Sequence, residues 1–403
     1  MVARDRVRFG ESTPDGTSDR AESQHTPGRA TGSRAVLGSR RGFLGALGAS
    51  GILALGGCLG ATDNVSTTRT IVDGVGREVQ LPESVDRVVG LGPGALRQIV
   101  YVDGVDRVVG VERDEREDLR TLPYNAAYPE LRELPTVGSS GPEASGDAEK
   151  LLEAEPDVVF LSAIGGYEAA EVVTDQTGVQ TVVLEMPFTS GSEGRAAYFE
   201  SLRLVGTVLD IPGQAESIIT SLQSAIEDLE SRAPEESTAE AYAGGVSFKG
   251  SQGLTTTRVP YGPFELAGVG NVAAGIDADG VSVDVTAESL LSWDPSAIYC
   301  GAQNIPLVRQ DLRRHPAIVE LSAIQEGETF AMHPVSHYHE NVGTMLVNAY
   351  YVGKTRYPEQ FGDVSLSGMA DRVYEDLFGT SPFDAMQAEL PAYNRVRLAE
   401  GGG

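Results

Sequence analysis

Four short β-branched runs in the first half of the chain most constrain its fold, because each reads as a strand that is apolar on both faces. Each run is followed by a glycine-containing loop and then by a stretch with helical periodicity. Strands of this kind, separated by helices, are typical of a parallel sheet with both faces covered. The runs are 87–91, 107–111, 157–161 and 180–184. They predict an α/β fold.

A long helical stretch separates these runs from a second α/β region. Apolar residues recur at spacings of mostly three or four from about residue 194 to 232, with an interruption at Pro212. Strand-like runs then resume at 240–248, 297–300 and 329–332. We expect two Rossmann-like lobes with central sheets, joined by one long rigid helix. A ligand of such sheets binds beyond the carboxyl ends of the strands, between the lobes.

The domain boundaries follow from these patterns. Asp73-Gly74, placed between two alternating runs at 70–82, predicts a β-hairpin at the start of the first lobe. The predicted parts are an N-terminal lobe at 70–193, a bridging helix at 194–234, a C-terminal lobe at 235–390 and a tail at 391–403.

The segment SRRGFLGALGASGILALGGC at 39–58 has the pattern of a targeting signal that precedes the folded domain. Its uncharged part would be about 24 Å long as a helix, which is too short to span a bilayer. Arg40-Arg41 before the apolar run looks like a twin-arginine export signal, and the run ends at Cys58 in a sequence that resembles a lipobox. The predicted segments are a signal at 1–57 and a lipidated tether at 58–69. We therefore expect an extracytoplasmic protein, anchored by lipid to the outer face of the cell membrane.

The chain is strongly acidic, with 58 acidic and 31 basic side chains and a formal net charge of −27. Such a charge repels nucleic acid, which we exclude as a partner. It is typical of a solvated, halophilic surface, because the Debye length falls to about 3 Å at 1 M salt. If Cys58 carries lipid, Cys300 has no intramolecular disulfide partner, and its place at the end of an apolar run predicts burial.

Four further stretches carry a family resemblance. They are VDRVVGLGPGALRQIVYVDGVDRVVGVE (85–112), YPELRELPTVG (128–138), GDAEKLLEAEPDVVFL (146–161) and YYVGKTRYPEQF (350–361). The order and spacing of these stretches together are specific. Through them the chain resembles the substrate-binding lipoproteins of ABC importers for ferric siderophores, haem and cobalamin. The resemblance implies two lobes bridged by one rigid helix, little closure on binding, and delivery of a solute without chemistry. It also implies an ABC permease and its ATPase subunits as partners of a monomeric receptor.

The ligand implied by the resemblance is a metal chelate, most readily a ferric siderophore, with cobalamin or haem as alternatives and no resident cofactor. Such ligands present carboxylates, hydroxamates or catecholates, which call for basic donors and aromatic walls. We expect ligand contacts from Arg97, Lys249 and Arg258, and walls from Tyr167 and Tyr261. Arg97 stands where many relatives carry a glutamate, which suggests either an anionic ligand or a structural ion pair.

The histidine-rich stretch HPVSHYHENV at 333–342 supports competing hypotheses. His337 is expected to contact an organic ligand, because this stretch enters the cleft in the resembling family. Alternatively, His337 and His339 bind zinc, manganese or iron directly, or serve a surface metallohydrolase with Glu340 as its base. The chain contains no H-E-x-x-H, G-x-S-x-G or P-loop motif. We therefore expect a binding protein, with no catalytic residues.

Two glutamates, Glu149 and Glu288, are the predicted contacts with the permease. In the resembling family each lobe presents one surface glutamate to an arginine pocket on the matching permease subunit. The stretches around them, AEKLLEAEPDVV and AESLLSWDPSAI, read alike. In each, a carboxylate opens a short helix, two leucines are expected to face the sheet, and a proline, Pro156 or Pro295, starts the next strand.

Overall fold

The part of the chain that the computed structural model describes begins after the predicted signal. It comprises residues 68–117, 122–141, 146–186, 191–237, 239–246, 252–276 and 282–399. Cys58 and Lys249 lie outside these described residues, as do the signal and nearly all of the tether. Within the described ranges, no helix is both long and apolar enough to cross a membrane.

The N lobe contains a five-stranded parallel sheet with the order β5-β4-β3-β6-β7, preceded by the predicted hairpin β1–β2. Its strands are β1 Thr68–Val72, β2 Glu78–Pro82, β3 Val88–Leu91, β4 Val108–Glu112, β5 Thr136–Gly138, β6 Val158–Ser162 and β7 Gln180–Leu184. Its helices are α1 Ala95–Tyr101, α2 Arg113–Glu117, α3 Pro123–Ala127, α4 Ala148–Ala154 and α5 Glu168–Thr177, with 3-10 turns at Val105–Arg107, Pro129–Glu133 and Ala163–Gly165. The four strands predicted from β-branched runs are confirmed within one residue.

The bridging segment consists of two helices, α6 Gly191–Val208 and α7 Pro212–Arg232, that pack against each other. The prediction of a single helix at 194–234 is wrong in this respect. Pro212 has no N–H to continue α6, and Asp210 takes a left-handed φ of 57° that turns the chain back. Since α6 packs on α1 of the N lobe and α7 packs on helices of the C lobe, α7 is the long helix that joins the lobes.

The C lobe contains a second five-stranded sheet, with the order β10-β8-β12-β13-β14 and an antiparallel last strand. Its strands are β8 Glu240–Gly244, β9 Thr256–Arg258, β10 Gly270–Asn271, β11 Ser282–Asp284, β12 Ile298–Gly301, β13 Thr329–Met332 and β14 Asn394–Arg395, with β9 and β11 forming a separate antiparallel pair. Its helices are α8 Gly262–Ala267, α9 Ala287–Trp293, α10 Ile305–Arg314, α11 Ser322–Gln325, α12 Val342–Arg356, α13 Leu366–Phe378 and α14 Phe383–Glu389, with 3-10 turns at Ala302–Asn304 and Pro316–Glu320.

The end of the chain ties the lobes together. Strand β14 pairs with β13, and Leu398 is buried in the C lobe, so residues 391–399 belong to that lobe and do not form the separate tail that was predicted. Helix α13 packs on α1, α14 packs on α3, and the Tyr128 hydroxyl donates to the carbonyl of Phe378. One hydrophobic core therefore runs through both lobes. The predicted fold class, two α/β lobes with central sheets, is confirmed.

Candidate functional site

The loop 333–341, which connects β13 to α12, lies where the two lobes meet, and we call it the cleft loop. Tyr338 and His339 both take positive φ angles, 47° and 75°, which turn the chain sharply. The N–H of His337 donates to the carbonyl of His339 at 3.1 Å, and that of Asn341 donates to Val335 at 2.7 Å. These bonds fix the turn, so that the loop presents its carbonyls to the N lobe.

Arg97, on the first turn of α1, reaches the cleft loop from the N lobe and is only 1% exposed. Its Nη1 donates to the carbonyl of Glu340 at 2.6 Å, and its Nη2 donates to those of His337 and Tyr338, each at 3.0 Å. The guanidinium also lies 5.2 Å from the centroid of the Tyr124 ring. Arg97 was predicted to contact the ligand. In the structure these donors go to main-chain carbonyls, so Arg97 connects the lobes, and its contact with a ligand stays a prediction.

A second connection runs from Tyr338 to Glu112, a residue at the carboxyl end of β4. The Tyr338 hydroxyl donates to Glu112 Oε2 at 2.7 Å and accepts from the N–H of Gly141 at 2.9 Å. The N–H of Gly92 also donates to Glu112 Oε2, at 2.9 Å. Burial raises the pKa of Glu112 well above its ordinary value. This carboxyl therefore ionises less readily than an exposed one, although its hydrogen bonds with Tyr338 and Gly92 favour the ionised form.

Glu115 is a second buried carboxyl on the N-lobe side. The Tyr124 hydroxyl donates to its Oε2, and the side chain of Asn125 donates to its main-chain carbonyl at 2.5 Å. Burial raises the pKa of Glu115 to about 7, although Tyr124 and Arg97 act in the opposite direction. Neither Glu115 nor Tyr338 was predicted from the sequence as a site residue. Tyr338 lies inside the histidine-rich stretch, which we assigned to its histidines, and its partner Glu112 is 226 positions away. The partners of Glu115 lie only 9 and 10 positions away, but it falls between the stretches to which we assigned a feature.

Arg258, at the end of β9, places a buried cation on the C-lobe side of the junction. Its Nη2 donates to Glu340 Oε1 at 3.0 Å, and the two side chains are 4% and 2% exposed. A cavity of about 20 Å³ in the C lobe adjoins Arg258, with room for about one water molecule. Its lining residues are Val246, Arg258, Tyr261, Gly301, Met332, His333, Pro334, Val335 and Ser336. The structure thus brings the predicted residues Arg258 and Tyr261 together.

The histidines of the cleft loop contact different partners. The Nε2 of His333 pairs with the carbonyl of Leu390 at 2.9 Å, while His339 is hydrogen-bonded to the main chain of Met186. Burial lowers the pKa of His333 to about 4 and that of His339 to about 3, so both are neutral at pH 7. Among the described residues, no group of three or more His, Cys, Asp or Glu side chains stands where it could hold a metal ion. His337 is half-buried at the junction, where its main-chain carbonyl accepts from Arg97.

Tyr167 lies apart from this cluster, on the N-lobe side, in the loop that follows β6. It is 47% exposed, and the neighbouring Ile164 is 41% exposed. Gly166, with a φ of 99°, aims the chain outward before α5 begins at Glu168. Tyr167 is therefore available as a wall for a ligand larger than the cavity beside Arg258.

The two glutamates predicted to contact a permease occupy equivalent places on short helices, Glu149 on α4 and Glu288 on α9. Both are exposed, and both are the second residue of a seven-residue helix. The Asp147 side chain accepts from the N–H of Glu149 at 3.1 Å, and that of Thr286 accepts from Ser289 at 3.0 Å. The expectation that two leucines of each helix face the sheet is wrong for the second leucine, because Leu152 and Leu291 are exposed.

A larger cavity, of about 310 Å³, lies between α7, α12 and α13. Its walls include Leu222, Asp228, Tyr350 and Arg372. None of the residues around it belongs to a loop at the carboxyl end of a strand. We therefore do not assign the solute to it.

Comparison with known proteins gives a family match over most of the described chain. A family model described as periplasmic binding protein matches residues 82–335. The molybdate-binding protein MolA of Haemophilus influenzae is 24% identical over 341 residues, which cover 78% of this chain and 92% of that protein.

Solved structures with the same fold include three that span most of this chain. MolA bound to molybdate superposes with a TM-score of 0.62 at 21% identity, covering 78% of this chain and 98% of that chain. A periplasmic solute-binding protein from Veillonella parvula gives 0.62 at 19% identity, with 80% and 97% covered. Helicobacter pylori CeuE with Ni(II) bound gives 0.59 at 16% identity, with 80% and 99% covered. At these identities the likeness concerns the fold.

Proposed function

The chain belongs to the periplasmic binding protein family, the extracytoplasmic solute-binding receptors of ABC importers, and we propose that its solute is a small oxyanion of the molybdate class. The observation that carries the proposal is Arg258, a buried guanidinium that lines a small cavity of the C lobe next to the cleft loop. A guanidinium removed from water requires an anionic partner, and its planar donors suit the oxygens of an oxyanion. In the structure Glu340 supplies that charge.

The electrostatics around the cavity favour an incoming anion. Burial raises the pKa of Glu112 well above its ordinary value and that of Glu115 to about 7, so these carboxyls on the N-lobe side of the cleft loop ionise less readily than exposed ones. Arg97 and Arg258 approach the same loop from opposite lobes. An oxyanion that replaces Glu340 at Arg258 preserves the charge balance of the buried site, which limits the cost of desolvation.

The small size of the site also favours a small anion over a bulky chelate. The cleft loop already contacts both lobes, and the cavity beside it has a volume of only about 20 Å³. A core shared by both lobes, with α13 and α14 packed on the N lobe, opposes wide opening. A small ion therefore needs less displacement than a siderophore or haem. The similarity to a protein named as molybdate-binding supports the same class of ligand.

Titration calorimetry with molybdate, tungstate and sulfate tests this proposal. We expect micromolar or tighter binding of molybdate and tungstate. Arg258→Ala should weaken it at least tenfold, or about 1.4 kcal/mol. Glu340→Gln should strengthen it, because the competing carboxylate is removed. Arg203→Ala, which changes an exposed arginine on α6, is the matched control and should bind as the wild type does. If molybdate and tungstate give no binding heat, or if Arg258→Ala binds them normally, the proposal fails.

A metal chelate, with a ferric siderophore first and cobalamin or haem as alternatives, is the second candidate. The exposed Tyr167 and Ile164 favour it, because they offer an aromatic and apolar wall at the end of β6. Protein purified from iron-starved or cobalamin-starved cells should then carry visible absorption. Tyr167→Ala should weaken chelate binding and leave molybdate binding unchanged. Lys249 and His337 are retained as contacts of whichever solute is bound.

The mode of delivery is also part of the proposal. A lipid on Cys58 anchors the monomeric receptor to the membrane, and Glu149 and Glu288 contact the two permease subunits, which work with their ATPase subunits. The equivalent, exposed placement of the two glutamates on α4 and α9 supports this docking. Helix N-terminal glutamates also favour the helix dipole, by about 0.3–1 kcal/mol each. That effect accounts for either glutamate alone but not for their matched positions.

A further inference from the structure

Two exposed leucines occupy matched positions on the two lobes. Leu152 on α4 is 51% exposed and Leu291 on α9 is 36% exposed. The other exposed large hydrophobic residues in the described part of the chain are Val72, Ile164, Tyr167 and Val172. All four of these belong to the N lobe, so Leu291 is the only such residue in the described part of the C lobe. A scattered exposed leucine is ordinary, but a pair at equivalent places on both lobes is not.

The local structures around the two leucines match residue by residue. In each helix the preceding leucine, Leu151 or Leu290, is fully buried, at 1% and 0% exposure. Each helix has seven residues and is followed by a C-cap residue with a left-handed φ, 47° at Glu155 and 40° at Asp294. Successive helical residues point about 100° apart. The residue after the buried leucine is therefore turned away from it, and in both lobes it is exposed to water. A polar residue would satisfy that position, yet both lobes carry leucine.

Each exposed leucine lies three residues after a proposed docking glutamate, Leu152 after Glu149 and Leu291 after Glu288. Residues at this spacing share one face of a helix. Each lobe therefore presents a patch, which we call a docking patch, of one carboxylate beside one isobutyl group. A partner that fits both patches at once has two like halves, each with a basic side chain next to a small apolar pocket.

We infer that Leu152 and Leu291 are the apolar anchors by which the receptor docks on its two-fold permease, an inference that rests on the proposed receptor function. With 58 acidic side chains in the chain, a glutamate alone does not distinguish the docking face from the rest of the surface. Salt also screens the attraction between exposed charges, whereas burial of a leucine is not weakened in this way. The leucines supply the part of docking that is specific to α4 and α9 and persists at high salt.

The experiment measures uptake in cells whose own copy of the gene is deleted and replaced by variants. The probes are radiolabelled molybdate and a ferric siderophore. The strains carry the leucine variant, its valine control, or Glu149→Ala with Glu288→Ala. We expect Leu152→Ser with Leu291→Ser to reduce uptake at least tenfold. The purified leucine variant should bind its solute with unchanged affinity and unfold at an unchanged temperature, because both side chains are already exposed. The matched control, Val72→Ser with Val172→Ser, also removes two exposed apolar side chains and should transport normally.

The outcomes separate the inference from the function on which it rests. Normal uptake by the leucine variant overturns the inference, and if the glutamate variant fails at the same time, the receptor function stands without the apolar anchors. Equal loss in the leucine variant and in the valine control also overturns it, since the effect is then not specific to the docking patches. If deletion of the gene leaves uptake of both probes intact, the receptor function itself fails and the inference falls with it.

Discussion

Arg97 connects residues that lie about 240 positions apart in the chain, and it does so with a charged group placed inside the protein. Three main-chain carbonyls of the cleft loop accept from its Nη1 and Nη2. Buried carbonyls that lose their donor cost free energy, because no water replaces it. The guanidinium therefore holds the cleft loop against the N lobe.

At this scale we predict that Arg97→Ala lowers the free energy of unfolding by about 2–4 kcal/mol, because it leaves buried acceptors unpaired and opens a cavity. Urea denaturation measures the change. Arg203→Ala is the matched control, because Arg203 pairs with exposed Glu200 and Glu216, and such pairs contribute about 0–1 kcal/mol. Equal losses in the two variants would contradict a connecting role for Arg97.

The second residue-scale prediction concerns Glu115 and pH. Burial raises its pKa from 4.5 to about 7 in the folded protein, so the folded state binds more protons than the unfolded state between these values. The stabilisation from protonated Glu115 is complete below pH 4.5 and is lost as the pH rises through 7. Between pH 5 and pH 8 this loss lowers the free energy of unfolding of the wild type by on the order of 3 kcal/mol. Glu115→Gln should abolish that part of the pH dependence.

Urea unfolding at pH 5 and pH 8 tests this prediction. Other buried carboxyls, Glu112 among them, contribute to the pH dependence of both proteins, and the comparison isolates the part due to Glu115. Glu200→Gln, an exposed change on α6, should preserve the wild-type pH dependence. A Glu115→Gln protein that loses as much stability as the wild type over this range would show that Glu115 ionises normally.

At the scale of elements, α12 shows how packing can outweigh helix propensity. A Cβ on Gly353 would lie 2.5 Å from two atoms of the buried Phe361 ring and 2.7 Å from a third. Alanine favours a helix interior over glycine by roughly 0.5–1 kcal/mol, but overpacking a rigid ring costs about 1–3 kcal/mol. We therefore predict that Gly353→Ala lowers the free energy of unfolding. Gly213→Ala in α7, where nothing lies within 4 Å, should raise it slightly. Calorimetric melting would contradict the account if both variants changed stability in the same direction.

The elements that could be predicted from the sequence are those with a strong local signal. The strands β3, β4, β6 and β7 are apolar on both faces and were found within one residue. The short strands β5, β9, β10 and β11 have only two or three residues, too few for a periodic pattern, and were missed. The turn at Asp210 was not anticipated, although Pro212 indicated an interruption. The return of α13 and α14 to the N lobe depends on packing between distant segments, which no local pattern reports.

Four of the predicted site residues lie near the lobe junction, but their contacts could not be predicted and their binding of a solute stays a prediction. Arg97, Arg258, Tyr261 and His337 all lie at or next to the junction of the lobes, as loops at strand ends led us to expect. The acceptors of Arg97 could not be predicted, because they are carbonyls of a loop near the other end of the chain. The pairing of Arg258 with Glu340 was missed for the same reason.

At the scale of the whole molecule, the shared core makes the two lobes one body that ends at the β1–β2 hairpin on its N-terminal side. The export signal and the lipid on Cys58 remain predictions for the residues before it.

We expect Arg40→Lys with Arg41→Lys to leave precursor in the cytoplasm, because a twin-arginine signal does not accept lysine for arginine. Cys58→Ser should release the product from the membrane fraction. Arg29→Lys with Arg34→Lys, which lie earlier in the same segment, is the control and should change nothing. Unchanged fractionation of both test variants would refute the prediction.

The central claim is that a small oxyanion binds beside Arg258, next to the cleft loop at the lobe junction. A crystal grown with tungstate tests it most directly, because tungsten scatters anomalously and its position is found without prior assumptions. The account predicts one strong anomalous peak at the lobe junction, within hydrogen-bond distance of the Arg258 guanidinium, and with the Glu340 carboxylate moved away from its present 3.0 Å contact. A junction with no tungsten, or a peak only on the outer surface of a lobe, would contradict it.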